Sequence, residues 1–199
     1  MEFILTLAYT LLFVALIKRM TFFLPEGLHP YTLPAIFLMK VLAGFLLYLV
    51  YTYVYTDRST ADIFKYFDDS KVMYDALFQR PADFLQMLTG IKNDRPRFDA
   101  YYNQMNYWYR VYESNIYNDS HTIIRFNAVI RLFSFGYYNV HTVFMCFFSL
   151  AGLTGLYRFF SVRIQGKKHL LLLAVFLLPS VTLWGSGVLK EGLLLFGLG

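Results

Sequence analysis

From Leu33 to Thr56 the chain runs through apolar residues interrupted by one charge, Lys40. About twenty such residues cross the hydrocarbon core of a bilayer as a helix, so this stretch limits the fold more than any other. Tyr48, Tyr51, Tyr53 and Tyr55 gather at its end, where a helix meets the headgroup layer. Lys40 is expected to reach the interface along its own aliphatic stem. Other apolar runs repeat the pattern: Met1 to Ile17, closed by Lys18 and Arg19; Tyr138 to about Phe160; Leu170 through Pro179 to about Trp184; and Leu193 to Gly199. The last is too short to cross, which predicts that the sequence is a piece of a longer chain. The first has an acid in front and bulky Met20 and Phe22 behind, unlike a cleaved signal with its basic lead and small-residue site. It is expected as a retained helix, with an interfacial helix as the alternative.

Composition agrees. The chain is 57% hydrophobic and only 16% charged, against about a quarter charged in ordinary soluble domains. Its net charge of +5 comes from basic residues beside the apolar runs, which reads as a topology signal and not as a nucleic-acid surface. The lone Cys146 leaves no pair for a disulfide or a C-x-x-C site. The expected fold is an all-α integral membrane bundle, with spans 1 and 2 in 1–56, a large amphipathic helical loop domain in 57–137, and spans 3, 4 and the start of span 5 in 138–199.

The insert 57–137 holds ten of the thirteen acidic residues and enough aromatics to pack on the membrane. Ser59 or Thr60 is expected to cap a helix carrying Ile63, Phe64, Phe67, Tyr74, Leu77 and Phe78. Pro81 to Leu88 reads as a second helix stopped by Gly90, Lys92 to Phe98 as a charged loop, and Tyr101 to Tyr117 as an amphipathic wall facing an interface or carbohydrate. Ser120 is expected to cap a helix running into the third span. The sequon at Asn118 carries no weight, because such triplets arise by chance. Positive residues stay on the cytoplasmic side. Lys18-Arg19 and the Arg158 to Lys168 cluster fall on one side once four spans are drawn, so the insert and the turn from Trp184 to Glu191 share the external face.

Three stretches resemble the polytopic GT-C glycosyltransferases, which take sugar from a polyprenyl-phosphate carrier at the external face of a membrane. They are Asp62 followed by Tyr66, Phe67 and Asp69 just after a span; Ile124-Arg-Phe-Asn-Ala-Val-Ile-Arg-Leu-Phe133 entering the next span; and Pro179-Ser-Val-Thr-Leu-Trp-Gly-Ser-Gly-Val-Leu-Lys-Glu191 at an external turn. Ala61 stands where the family usually has glycine, and an additional span precedes the loop. The resemblance implies a bacterial plasma-membrane enzyme of polysaccharide or glycan assembly, with the bilayer, a polyprenyl-phosphate-linked sugar and a glycan, lipid or protein acceptor as partners.

Glycosyl transfer needs a carboxylate to take the acceptor's proton as an oxocarbenium-like centre develops. Asp62 is the first candidate and Asp69 the second. The alternative for Asp62 is a plain helix-start acid complementing the dipole. The leaving phosphate needs cations. Arg125, Arg131 and Lys190 are the candidates, with Glu191 beside Lys190 at the mouth of an apolar run. Six residues separate the two arginines, which turns them to different sides of one helix. No cofactor is expected; adjacent Asp68 and Asp69 are the residues that would hold a divalent metal. His121 and His141 read as structural. The competing classes are a transporter or flippase of lipid-linked glycan, a scaffold subunit of an envelope assembly, and a polysaccharide polymerase.

Overall fold

The computed structural model describes residues 1–55, 57–58, 60–94, 96–109, 118–164 and 166–199. The described residues form helices and turns, with no strand among them. In chain order the helices are α1 (Glu2–Arg19), α2 (Thr32–Tyr53), α3 (Asp62–Gln79), α4 (Pro81–Thr89), the single turn α5 (Asp99–Tyr102), α6 (Ser120–Ser134), α7 (Tyr138–Arg163), α8 (Lys168–Phe176), α9 (Pro179–Trp184) and α10 (Lys190–Leu198). Two of them, α2 and α7, are long and apolar enough to cross a membrane.

Helices α1, α2, α7 and α8 share one core around Phe13, Ile17, Phe37, Leu150, Tyr157 and Phe176, all nearly without exposure. Their outer faces carry exposed apolar side chains such as Phe3, Ile4, Leu7 and Leu11 on α1, and Leu38, Leu42, Phe45 and Leu46 on α2. Gly152 allows the backbone of α10 at Leu195 and Phe196 to press against α7; a methyl group there would overlap it.

The basic clusters share one end of this bundle. Arg158 Nη1 donates to the carbonyls of Thr21 and Phe22, Lys168 Nζ donates to that of Glu26, and Lys18 lies over the Tyr31 ring. At the other end stands the insert, whose core of Phe64, Phe67, Met73, Met87, Trp108 and Ile124 continues into Leu47 of α2, Tyr138 and Met145 of α7, and Val188 before α10. The insert is therefore seated on the bundle rather than tethered beside it.

Local chemistry explains most boundaries. Pro81 fits the first turn of α4, where its missing N–H has no partner to lose. Gly90 ends that helix in the left-handed conformation that glycine adopts without strain. Three expectations need correction. The start of α3 has Ala61 at its cap position, while the Thr60 hydroxyl donates backwards to Asp57 O; Ser59 lies outside the described residues. The start of α6 is held by Asn118, whose Oδ1 accepts from the N–H of Ser120, so Ser120 is the first helical residue and not the cap. The predicted fourth span is two helices. Pro179 forbids a helical Leu178, which is extended at φ −60°, ψ 129°, and the nine-residue α8 gives way to the six-residue α9. Residues 110–117 of the predicted amphipathic wall lie outside the described residues.

Lys40 also departs from expectation. It is wholly buried, its ammonium turned inward to donate to Val181 O of α9 at 3.3 Å. The side chain faces Gly185 instead of a lipid interface, and a Cβ at that glycine would lie 3.1 Å from the ammonium nitrogen.

Candidate functional site

Two predicted site residues 128 positions apart, Asp62 at the start of α3 and Lys190 at the start of α10, both lie within electrostatic reach of Tyr66. A tyrosine cluster joins them. Tyr107 donates its hydroxyl to Asp62 Oδ1, and Lys65 Nζ donates to the same hydroxyl at 3.2 Å while lying 4.3 Å from the ring centre. Tyr66 packs against Tyr107 at 5.2 Å between ring centres. The Tyr66 hydroxyl bonds Ser120 and feels the charges of Asp62, Lys190 and Asp119. Lys190 Nζ pairs with Asp119 Oδ2 at 2.7 Å. The starts of α3, α6 and α10 thus bring two carboxylates, two lysines and two phenols together.

Burial pushes the Tyr66 hydroxyl above the ordinary phenol range. Burial, reinforced by the hydrogen bond to Asp62, pushes Tyr107 up further. Both therefore remain protonated donors at neutral pH. With Tyr107 on Oδ1, the other oxygen of the exposed Asp62 has no hydrogen-bond partner among the described residues.

Asp69 does not join this surface. It has no exposure, and both of its oxygens are engaged: Oδ1 accepts from Asn106 N at 2.7 Å and Asn106 Nδ2 at 2.8 Å, and Oδ2 accepts from Tyr107 N at 2.8 Å. Burial raises its pKa while these three bonds pull against the rise. A proton on either oxygen would face an N–H donor, so the ionised form is the one that fits the turn. The expected second catalytic acid is instead the anchor of the loop that aims Tyr107 at Asp62. Asp68 points outward on the same helix and pairs with Arg58 at 2.7 Å, so the two acids do not converge on a metal.

The predicted cations divide. Arg131 is buried, donating Nε to Ser70 Oγ at 2.8 Å and Nη2 to Phe67 O at 2.6 Å, with its guanidinium 4.1 Å from the Phe67 ring. Burial lowers its pKa to about 10. It fastens α6 to α3 and has no free face for a phosphate. Arg125 faces elsewhere, as the six-residue spacing requires. Its Nε donates to Met87 O at 2.8 Å, and it lines a polar hollow of about 490 Å³ with Asn93, Asp94, Asp99, Trp108 and Tyr109. Glu191 lines a separate hollow beside Trp184 and Gly185, where its Oε2 is buried with no hydrogen-bond partner among the described residues. His121 stacks on Trp108 at 4.0 Å and lines the same hollow as Arg125, and His141 bonds Ser134 Oγ and Asn127 Oδ1.

Beside Asp62 lies a mainly apolar groove of about 370 Å³ between the end of α2 and the end of α9, lined by Leu47, Val50, Tyr51, Ala61, Leu183 and Trp184. It runs to the residue before Asp62. Sequence reasoning gave no role at the site to Tyr107, Lys65 or Asp119. The density of Tyr, Trp and Asn in 101–117 is the signal that points to Tyr107. Asn118 closes the arrangement, its Nδ2 donating to the carbonyls of Tyr107 and Trp108.

Searches of protein-family models, of curated proteins and of solved structures return no match to this chain.

Proposed function

We propose that the chain belongs to a multi-span bacterial plasma-membrane glycosyltransferase that moves a sugar from a polyprenyl-phosphate carrier to a glycan, lipid or protein acceptor at the external face. The observation carrying this reading is that Tyr66 feels the charges of both Asp62 and Lys190, with Tyr107 holding Asp62, next to a mainly apolar groove of about 370 Å³. The exposed apolar faces of α1 and α2 and the basic residues gathered at the opposite end support a bundle set across a bilayer with the insert outside.

In this reading the acceptor oxygen attacks the anomeric carbon, the bond from that carbon to the carrier phosphate breaks, and the acceptor's proton passes to Asp62. Tyr107 holds the carboxylate in place. Lys65 and Lys190 offset the negative charge that develops on the leaving phosphate, acting as point charges. Arg125 belongs to the neighbouring hollow, whose aromatic and acidic walls suit a saccharide. The test is transfer of labelled sugar from a polyprenyl-phosphate donor in membranes, wild type beside Asp62→Asn at matched expression. Loss in the variant supports Asp62 as base; retained turnover removes it from that role.

A second reading, movement of lipid-linked glycan without chemistry, is favoured by a different observation: the charge of Lys40 is buried opposite the break between α8 and α9. Intramembrane charges and broken helices are features of transporters. Under that reading Lys40→Met abolishes translocation and Asp62→Asn leaves it intact.

A further inference from the structure

At the insert end of the bundle, where α1 and α7 begin, a cavity of about 570 Å³ opens between α1, α2 and α7. Its α2 wall is Leu38, Val41, Leu42 and Phe45, spaced i, i+3, i+4 and i+7, one apolar face of a helix. The opposite walls are polar. Helix α1 contributes Glu2 and Thr6, one turn apart, and α7 contributes Asn139 and Thr142.

Three oxygens on these walls are buried without a hydrogen-bond partner among the described residues: Thr6 Oγ1, Asn139 Oδ1 and Thr142 Oγ1. Thr142 is only 2% exposed. A helical threonine in apolar surroundings ordinarily satisfies its hydroxyl on the carbonyl four residues earlier. Thr10, Thr52, Thr89 and Thr154 of this chain all do so, at 2.7–2.8 Å. Thr6 and Thr142 do not. A buried polar oxygen left unpaired is destabilising, and three on one cavity mark a place where an outside polar group is taken. Glu2 supplies the charge. Its Oε1 accepts from Asn139 N at 3.1 Å and Asn139 Nδ2 at 2.9 Å, holding the carboxylate at the start of α7.

We infer that this cavity is a binding site for a lipid with a hydrogen-bond-donating cationic headgroup, a primary ammonium, whose acyl chain lies on the α2 face. The Glu2 carboxylate and Asn139 Oδ1 only accept, which suits an ammonium and opposes a bare phosphate, while the two threonine hydroxyls serve in either role; the apolar wall suits a chain. The inference rests on the membrane part of the reading above and is independent of glycosyl transfer.

The whole chain is placed in nanodiscs of equimolar phosphatidylethanolamine, phosphatidylcholine and phosphatidylglycerol with identical acyl chains, and retained lipid is measured by native mass spectrometry. Phosphatidylethanolamine is expected to be retained about tenfold over phosphatidylcholine, the ratio that one charge-assisted hydrogen bond supplies. Glu2→Gln keeps the acceptor for Asn139 and is expected to bring the ratio near one. Thr142→Val, which preserves shape, is expected to lower it in part. Equal retention of the two zwitterionic lipids, preference for phosphatidylglycerol, or a preference unchanged in a Glu2→Gln/Thr142→Val double variant that melts like wild type would overturn the site. Release of the chain from membranes by alkaline carbonate would instead overturn the membrane reading itself.

Discussion

Replacing Asp69 tests how the candidate site is held together. Its carboxylate is fully buried and receives three hydrogen bonds, two of them from the backbone N–H groups of Asn106 and Tyr107. Hydrogen bonds to a charged group contribute about 1.5–3 kcal/mol each, and unpaired buried donors carry a desolvation penalty. Asn106 is exposed, so water replaces part of the loss at its side chain. Asp69→Ala should therefore destabilise by about 3 kcal/mol, and Asp69→Asn by about 2 kcal/mol because its amide turns one donor against another. For a chain of 199 residues, 1 kcal/mol corresponds to about 2–4 °C in Tm, so the alanine variant should melt about 6–12 °C lower in detergent. Because Tyr107 is the residue released, the variant should also lose sugar transfer out of proportion to its loss of fold at a temperature where it remains folded. A Tm within about 2 °C of wild type, below the shift that 1 kcal/mol produces, would refute the claim that Asp69 anchors the loop.

Other perturbations follow from the same contacts. Arg131→Met should cost about 3 kcal/mol in thermal unfolding through loss of its bonds to Ser70 and Phe67, and Arg131→Lys should not restore it, since one ammonium does not reproduce the two-pronged contact. Tyr102, buried with its hydroxyl on Asn93 O, has its pKa pushed up to about 12. Between the ordinary phenol value near 10 and that value, the unfolded chain binds fewer protons than the folded one. Stability therefore falls as pH rises through this window, by about 3 kcal/mol in all, and Tyr102→Phe should flatten that part of an alkaline denaturation curve. Lys40→Met should leave Tm unchanged or raise it by about 1 kcal/mol equivalent, because a matched apolar chain replaces a poorly solvated charge.

Much of the architecture could be read from the sequence because local chemistry decides it. Pro81 and Gly90 bracket α4, the apolar runs of α2 and α7 announce their length, and Asp62 sits at the head of a helix as its neighbours suggest. What stayed hidden depends on contacts between distant segments. Nothing near Asp69 says that it turns inward to Asn106 while Asp68 turns outward to Arg58; the two differ by one residue, or 100° of helix. The pairing of Asp62 with Tyr107 closes 45 residues of chain, and that of Lys190 with Asp119 closes 71. Lys40 was misread for the same reason: its partner, Val181, is 141 residues away, on a helix whose existence depends on the break at Pro179. Arg131 looked like a phosphate ligand because its residue type suits one, yet a guanidinium also serves as a buried strut.

The most direct test of the central claim is sugar transfer from a labelled polyprenyl-phosphate donor, measured in membranes that hold the protein, with wild type, Asp62→Asn, Tyr107→Phe and Lys190→Ala at equal abundance. Asp62→Asn should abolish turnover, Tyr107→Phe should lower it about 10- to 100-fold by freeing the carboxylate, and Lys190→Ala should weaken it through the leaving phosphate. Wild-type turnover that survives Asp62→Asn unchanged would contradict the site, and absence of turnover with every donor would contradict the reaction.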